Sequence, residues 1–220
     1  MLKSNTLNEL GLLHDTDKTS KTHDYLRKYE FFLSPLREKE FVFLELGVFK
    51  GASLRTFGDY FSKARIVGVD KEPEVLNFDV GRGETIMGDL ADGAFLESLL
   101  ELNPLVVLDD ASHWWPDQLR ALFVLYPRLA SGAIYIMEDV HTSFEPLAEH
   151  FSAGLTLPPF RALAKIAEYM TGNDRPAPII KDKNLVPLER EPTFDQEIRF
   201  LADATDAVVF IERACLLLKK

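Results

Sequence analysis

The sequence contains little cysteine, no long apolar run and no excess of positive charge. Its 220 residues include a single cysteine, Cys215, which excludes an internal disulfide and a cysteine-based zinc site. The apolar neighbours Leu216–Leu218 indicate that this thiol is buried and unreactive. No apolar stretch approaches the ~20 residues that a membrane-spanning helix requires, and Met1–Asn5 lacks the apolar core of a signal peptide. We therefore expect a cytoplasmic protein without a membrane partner.

The charge balance is acidic, with 25 Lys and Arg residues against 35 Asp and Glu residues and a net charge of −10. Binding to a phosphate backbone requires a basic surface, so nucleic acid is not expected as a partner. An acidic protein is better suited to a cationic ligand or a metal ion, although acidic charge also serves ordinary solubility. The content of 46% hydrophobic and 27% charged residues is that of a globular protein, and we expect one domain over residues 1–220.

Short apolar runs alternate with amphipathic segments between residues 41 and 170. Such runs, bounded by turn residues or charges, are typical of strands buried on both faces of a parallel sheet. Between the runs, apolar residues such as Leu54, Phe57 and Phe61 share one helical face. The alternation predicts right-handed βαβ crossovers and a doubly wound α/β fold. The five predicted strands are Phe41–Leu46, Ile66–Val69, Glu84–Met87, Leu105–Leu108 and Ala133–Met137.

The pattern changes toward the C-terminus. Ile198–Leu201 and Ala207–Ile211 resemble strands, and the residues between them are too few for a crossover helix. They predict an antiparallel hairpin, which gives a seven-stranded, mostly parallel sheet with one antiparallel strand. Residues 1–40 are expected to form a helical segment on the carboxyl side of the sheet. Residues 145–195 are expected to form an insertion on the substrate side, with an irregular, proline-rich part over Asn173–Pro192.

The junction after the first predicted strand has the composition of a ligand-binding turn. Gly47 and Gly51 permit a tight turn and a close backbone approach, and Ser53 is suited to cap the following helix. Two glycines after a strand are weak evidence by themselves, because an ordinary tight turn has the same composition. Glu45, near the end of the strand, is suited to a cation rather than to an anion.

Acidic residues also follow the next two strands. Asp70 ends the second strand, where a carboxylate accepts hydrogen bonds from both ribose hydroxyls, and Asp89 and Leu90 after the third strand are suited to flank an adenine. The middle glycine of the dinucleotide pattern G-x-G-x-x-G is absent. Together with Glu45, these residues favour S-adenosylmethionine over NAD, because its amino group and sulfonium are positively charged.

Acidic doublets end the fourth and fifth strands, at Asp109–Asp110 and Glu138–Asp139. We expect these strands to be neighbours, so that Asp110, Glu138 and Asp139 converge at one edge of the sheet. Converging carboxylates repel one another unless a cation lies among them. Oxygen ligands without cysteine suit Mg²⁺ or a similar divalent ion. The simpler alternative is a set of solvated acids at strand ends.

Side chains in the two following loops are candidates for proton transfer and for substrate binding. His113 lies three residues beyond Asp110 and is suited to take a proton from a hydroxyl, because the pKa of histidine lies near neutral pH. The alternative is a loop histidine bonded to a nearby carboxylate. His141 is expected to orient the site or to contact the substrate. Trp114 and Trp115 either stack on an acceptor or pack within the fold.

Several motifs resemble the metal-dependent sugar O-methyltransferases of macrolide antibiotic biosynthesis. The resemblance spans about residues 12–144 and the final hairpin, and its most specific part is the pair D-D-x-S-H and E-D-x-H-T-S. The matching motifs are His14–Lys18, Tyr25–Glu30, Glu45–Leu54, Asp109–His113, Glu138–Ser143 and Val208–Glu212.

The resemblance implies a Rossmann-like class I methyltransferase fold, with S-adenosylmethionine and Mg²⁺ as cofactors and a homo-oligomer as the expected assembly. It also implies roles for individual residues. Asp110, Glu138 and Asp139 are then the magnesium ligands, His113 is the base, and Tyr29 and Asp109 join the cofactor-binding residues.

The leading prediction is an O-methyltransferase that uses S-adenosylmethionine and Mg²⁺ and acts on a hydroxyl of a sugar or a glycosylated small molecule. One alternative is a catechol-like O-methyltransferase of planar vicinal diols, a type that has similarly placed metal acids but a lysine as the base. Another is a protein that binds S-adenosylmethionine without catalysis. A dehydrogenase is disfavoured because the middle glycine is missing.

Overall fold

The structure, a computed structural model, describes residues 5–172 and 192–220. The irregular segment predicted over Asn173–Pro192 therefore lies almost entirely outside the described residues. The seven strands are β1 (Val42–Leu46), β2 (Arg65–Asp70), β3 (Glu84–Met87), β4 (Pro104–Asp109), β5 (Ile134–Met137), β6 (Thr205–Ile211) and β7 (Ala214–Lys219). They form one sheet in the order β3-β2-β1-β4-β5-β7-β6. All five strands predicted between residues 41 and 137 are present, with bounds shifted by at most one residue.

Eight α-helices and several 3₁₀ segments connect the described strands. The helices are α1 (Leu7–His14), α2 (Tyr25–Leu33), α3 (Ala52–Tyr60), α4 (Gly93–Ser98), α5 (Trp115–Leu125), α6 (Leu147–Phe151), α7 (Pro159–Met170) and α8 (Pro192–Asp203). The 3₁₀ segments are Ser34–Leu36, Pro73–Asn77, Leu99–Leu102, Tyr126–Arg128 and Val140–Ser143. Residues 5–36 are thus largely helical. No helix in the described ranges is long and apolar enough to span a membrane.

The strand order reverses beside β1. β1 pairs in parallel with β2 on one side and with β4 on the other, although the chain reaches β4 only after β3. At such a switch point, the loops that follow the two strands diverge to opposite faces and leave a crevice at the carboxyl edge of the sheet. The fold therefore provides a ligand crevice at the ends of β1 and β4.

Apolar side chains cover both faces of the sheet. On one face, Phe43 of β1 packs on Phe57 of α3, with ring centroids 4.3 Å apart, and α1 and α2 complete the layer. On the other face, Leu44 of β1 lies in the same core as Leu119 and Leu122 of α5 and Ile198 of α8. Burial on both faces explains why the central strands are nearly continuous apolar runs.

The predicted position of the C-terminal hairpin is wrong. Ile198–Leu201 lies within α8, and the hairpin is formed by β6 and β7. Ile198 and Leu201 are buried whereas Phe200 is 61% exposed, a spacing of three residues that matches a helix face and not a strand. The run is too short for its period to decide between the two, so both assignments fit the sequence.

The second strand of the hairpin contains Cys215. β7 runs antiparallel to β5, and β6 lies at the sheet edge beyond it, so β7 is the one reversed strand among the seven. The Cys215 thiol is buried, as predicted, and its burial raises the pKa of the thiol. The count of strands and of reversals is confirmed although the hairpin lies further along the chain.

Candidate active site

A line of backbone hydrogen bonds continues past the strands and holds the loops of the carboxyl edge side by side. The first residue after each of β1, β3, β4 and β5 donates its amide to a carbonyl at or next to the end of a neighbouring strand. The pairs are Gly47 to Val69, Gly88 to Asp70, Asp110 to Leu46 and Glu138 to Asp109, with N···O distances of 2.7–2.9 Å. Each acidic loop is therefore fixed at its start by the sheet itself.

Gly47 is the point at which the loops after β1 and β4 touch. Its φ is +92°, and a Cβ at this position would lie only 2.3 Å from the carbonyl oxygen of Asp110. Both the left-handed backbone and the close approach exclude a side chain. The glycine predicted to permit a tight turn is thus required by the neighbouring loop as well.

The β2–β3 side of the edge forms a cavity of about 230 Å³ lined by Gly47, Asp70, Asp89 and Leu90. The Asp70 carboxylate accepts hydrogen bonds from the amides of Val48 (3.0 Å) and Phe49 (3.3 Å), so it also orders the loop after β1. Asp89 is exposed and accepts a hydrogen bond from the amide of Ala91. The residues predicted to bind the nucleoside therefore line one cavity.

A second cavity, of about 500 Å³, lies between β1, the β4–β5 side and the N-terminal segment. Glu45 lines it and is buried, and among the described residues neither of its carboxylate oxygens has a hydrogen-bond partner. Burial raises the pKa of Glu45 to about 8, and the Lys18 charge and the adjacent Ser53 hydroxyl, which lies outside good hydrogen-bond geometry, work in the opposite direction. An unpartnered buried carboxylate that lines a cavity is a site for a cationic or hydrogen-bond-donating ligand.

Lys18 reaches the acidic residues from the loop between α1 and α2. Its buried ammonium contacts the Asp110 carboxylate and lies 2.7 Å from Oε2 of Glu138. Burial works to lower the pKa of Lys18, but the charges of Asp110, Glu138 and Glu45 outweigh it and hold the pKa well above its usual value. A charged lysine thus lies among the carboxylates that the sequence predicts to be metal ligands.

Two tyrosines of α2 bind the same carboxylates. The hydroxyl of Tyr29 donates to Oε1 of Glu138 at 2.8 Å, and the hydroxyl of Tyr25 donates to Oδ1 of Asp139 at 2.8 Å. Burial and the adjacent carboxylates raise the pKa of both hydroxyls, so they remain protonated donors. The N-terminal segment is therefore attached to the β4–β5 side through three side chains, one of them the Tyr29 that was predicted to bind the cofactor.

His113 lies beside the second acidic doublet. Its Nε2 is 3.2 Å from Oδ2 of Asp139, and its buried Nδ1 has no hydrogen-bond partner within residues 5–172 and 192–220. Ligand atoms of Asp110, His113 and Asp139 all lie within 4.8 Å of one another, close enough to share a metal ion. The predicted ligand set contained Glu138 in place of His113, and the oxygens of Glu138 instead face Lys18 and Tyr29.

Other predicted site residues occupy different positions. Asp109 is buried, and its carboxylate accepts a hydrogen bond from the Tyr135 hydroxyl at 2.9 Å. Trp115 is 4% exposed and donates its indole N–H to the carbonyl of Thr142, so it offers little surface to a substrate, whereas Trp114 is 45% exposed. Burial lowers the pKa of His141.

The start of α3 completes the cavity. Gly51, with a φ of +74°, precedes the helix, and the buried Ser53 is its second residue and lines the larger cavity. Ser53 was predicted to cap α3; the residue at the cap position is Gly51, which has no side chain to cap with.

The contacts that the residue pattern did not reveal are those of Lys18, Tyr25 and Gln118. The Gln118 amide of α5 donates to the carbonyl of Glu138 at 2.9 Å and so fixes the loop after β5. The Lys18 and Tyr25 contacts join residues separated by 92 to 120 positions. In the sequence, only the resemblance to the sugar O-methyltransferases draws attention to the motifs that contain these two residues.

Comparison with curated proteins agrees with that resemblance, although no family model matches the chain. The chain is 33% identical over 153 residues to the 8-demethyl-8-alpha-L-rhamnosyl tetracenomycin-C 2'-O-methyltransferase of Streptomyces olivaceus, a match that covers 62% of this chain and 38% of the relative. It is 29% identical to the mycinamicin VI 2''-O-methyltransferase of Micromonospora griseorubida, over 64% of this chain and 37% of the relative. The chain thus spans less than two-fifths of the length of the curated relatives it matches.

A solved structure extends the likeness over nearly the whole chain. The MycE methyltransferase of the mycinamycin biosynthetic pathway, in complex with Mg, SAH and mycinamycin VI, superposes with a TM-score of 0.77 at 20% identity. The superposition covers 98% of this chain and 54% of MycE. The predicted Rossmann-like class I methyltransferase fold is therefore confirmed, as is the predicted resemblance to the sugar O-methyltransferases of macrolide antibiotic biosynthesis.

Proposed function

We propose that this chain is an O-methyltransferase domain that uses S-adenosylmethionine and a divalent cation such as Mg²⁺ to methylate a hydroxyl of a sugar or glycosylated small molecule. Support comes from the fold, from the named activities of the similar proteins, and from the two adjoining cavities at the carboxyl edge. A cytoplasmic location and a homo-oligomeric state stay predictions from the sequence.

The observation that carries the proposal is the buried Glu45. Its carboxylate has no hydrogen-bond partner among the described residues and lines the cavity that adjoins the one formed by Asp70, Asp89 and Leu90. The ammonium group of an amino acid attached to a nucleoside satisfies both requirements at once: Glu45 gains a cationic donor, and Asp70 gains the ribose hydroxyls. Gly47 lines both cavities and Ser53 lines the larger one, and we assign both, together with Gly51 just before α3, to the cofactor site.

For the divalent cation we propose Asp110, Glu138 and Asp139 as ligands. Carboxylates are the donors that Mg²⁺ prefers, and Asp110 and Asp139 also belong to the group of side chains near enough to share an ion. S-Adenosylmethionine supplies an electrophilic methyl group, and a divalent cation lowers the pKa of a hydroxyl that it contacts.

We assign the proton transfer to His113. In methyl transfer from S-adenosylmethionine, the O–CH₃ bond would form as the S–CH₃ bond breaks and neutral S-adenosylhomocysteine leaves, and the proton of the acceptor hydroxyl would pass to a base on the protein. The buried Nδ1 of His113 is without a partner in the described part of the chain, and Nε2 faces Asp139, which orients the ring and stabilises its positive charge after protonation. Trp114 and His141 lie on the same two loops and are proposed to contact the acceptor.

The test is a methyl-transfer assay that pairs S-adenosylmethionine with rhamnosides, other glycosides and catechols, each with Mg²⁺ and with EDTA. We expect transfer to a glycoside hydroxyl that EDTA abolishes and Mg²⁺ restores. Transfer to catechols alone would favour the catechol-like alternative. Binding of S-adenosylmethionine without transfer to any acceptor would favour the alternative without catalysis, and binding of NAD instead would refute the cofactor assignment.

A further inference from the structure

Lys18 makes the most unusual contact of the carboxyl edge. A lysine ammonium has three donors and no acceptor, so it never ligates a metal ion and instead repels one. Yet Lys18, with a side chain only 3% exposed, contacts Asp110 and lies 2.7 Å from Glu138. Its position is that of a counterion to the carboxylates for which we propose a divalent cation.

Asp110 is shared between the two kinds of counterion. It contacts the Lys18 ammonium, and it also belongs to the group of three side chains whose ligand atoms lie within 4.8 Å of one another. A divalent cation on Asp110 and a charged lysine on the same carboxylate would lie within a few ångströms of each other. In a buried region such like charges repel strongly, because the local dielectric response is weak.

We propose that Lys18 is a built-in competitor of the divalent cation, a tuning residue that weakens metal binding by neutralising Asp110 and Glu138 when no metal is bound. The inference rests on the proposed metal dependence and adds to it the residue that lowers the affinity for the divalent cation. Lys18 keeps the buried carboxylates paired without a metal, and a divalent cation has to displace it from Asp110.

Displacement has a consequence for the N-terminal segment. Lys18 lies in the loop between α1 and α2, and residues 15–18 of that loop line the larger cavity. The backbone of this loop is held by hydrogen bonds from the amide of His23 to Asp17 and from the amide of Leu26 to Lys18. When Lys18 leaves Asp110, residues 15–24 lose one of their attachments to the sheet and open more often.

The decisive experiment measures metal affinity, without cofactor or acceptor, by calorimetry with Mg²⁺ and Mn²⁺. Lys18→Met removes the charge and keeps much of the side-chain volume, and we expect it to bind the metal at least tenfold more tightly than the wild type. Lys18→Arg keeps the charge and is expected to stay within about threefold. Lys21→Met is the matched control, because Lys21 is an exposed lysine of the same loop, and its loss changes the net charge equally.

Unchanged or weaker affinity in Lys18→Met, with the fold intact by circular dichroism, overturns competition. If neither the wild type nor any variant binds a divalent cation, this inference and the metal part of the proposed function are both overturned. If turnover needs Mg²⁺ but Lys18→Met has no higher metal affinity than the wild type, only the competition by Lys18 is overturned.

A second measurement on the wild-type chain covers the case in which Lys18→Met does not fold. Hydrogen exchange of residues 15–24 is expected to become faster when Mn²⁺ is added. Slower or unchanged exchange on addition of a saturating metal ion would contradict displacement of Lys18, because an ion that binds together with Lys18 would hold the loop in place.

Discussion

The two sides of the carboxyl edge hold their acidic residues in different ways. On the β2–β3 side, Asp70 and Asp89 are half-buried or exposed, and they accept hydrogen bonds from backbone amides. On the β4–β5 side, Asp109 and Glu138 are 1% exposed and are held by side chains, with Tyr29 and Lys18 coming from far along the chain. The acidic residues of the β2–β3 side are therefore held by their own loops, whereas those of the β4–β5 side are held mainly by residues distant in sequence.

The difference separates two kinds of ligand. Acids that already bind backbone amides near solvent are suited to neutral hydroxyls and amino groups, which replace water at little electrostatic cost. Buried carboxylates with cationic and hydroxyl partners are suited to a charged ligand, because their own charge needs compensation. The contrast predicts that variants on the β4–β5 side alter chemistry and metal binding, whereas variants on the β2–β3 side alter cofactor affinity.

The largest effect is expected where the two sides meet. Gly47→Ala places a Cβ 2.3 Å from the carbonyl oxygen of Asp110 at a φ of +92°, so the loops after β1 and β4 have to separate. We expect a loss of more than about 3 kcal/mol in the free energy of unfolding, measured by urea denaturation. Gly93→Ala is the control, because a Cβ there meets no described atom within 4 Å. Equal stability of the two variants would contradict the tight approach.

The next largest effect tests the chemistry of the β4–β5 side. His113→Ala is expected to lower kcat by about 10²–10⁴-fold, the usual contribution of a general base, with little change in the affinity for S-adenosylmethionine. A large loss of metal affinity in His113→Ala would instead make His113 a metal ligand. His150→Ala, an exposed histidine of α6, serves as the control.

A smaller effect tests the β2–β3 side. Asp70→Ala removes the carboxylate expected to hold the ribose and also frees the amides of Val48 and Phe49. We expect S-adenosylmethionine to bind more weakly by ~1–3 kcal/mol, with metal affinity in the absence of cofactor unchanged. Glu74→Ala, at an exposed position nearby, should bind the cofactor as the wild type does. Unchanged cofactor affinity in calorimetry would remove Asp70 from the site.

The smallest effect is a pH dependence at Glu45. Burial raises the pKa of Glu45 to about 8, above its value in the unfolded chain, so the folded state retains this proton more strongly. The corresponding stability is present at acidic pH and is lost as the pH rises toward 8. Glu45→Gln stays uncharged at every pH. Between pH 5 and pH 8 we therefore expect the wild type to lose at least about 1 kcal/mol more of its free energy of unfolding than this variant loses. The free energy of unfolding is measured by urea denaturation at each pH. The same pH dependence in the wild type and in Glu45→Gln would contradict this prediction.

Much of the fold and of the edge follows from local sequence. The five central strands are apolar runs because both faces of the sheet are covered, and the acids at their ends stand where the apolar pattern stops. The run Ile198–Leu201 favours a strand in the sequence because four apolar residues fit the strand period as well as the helix period. The helix is favoured by the packing of Ile198 and Leu201 on one core, which is a property of the tertiary structure.

The partners of the buried acids do not follow from local sequence. Lys18 reaches Asp110 across 92 positions, and Tyr29 reaches Glu138 across 109. Nothing in the residues around Lys18 marks it as buried, since lysines are usually solvated. The sequence therefore predicts where the carboxylates converge but not what neutralises them. It also does not distinguish a substrate-binding Trp115 from the buried Trp115 of the structure.

The hydrogen bonds that join each loop to the neighbouring strand also bear on how such a domain diversifies. Because Gly88, Asp110 and Glu138 are each anchored through a main-chain amide, the anchor does not depend on the side chains that follow in the loop. Insertions and substitutions after the anchored residue change the walls of the crevice while the carboxylates keep their starting positions. A library that randomises the loops beyond these residues would therefore test new acceptors while the sheet and the anchored residues stay in place.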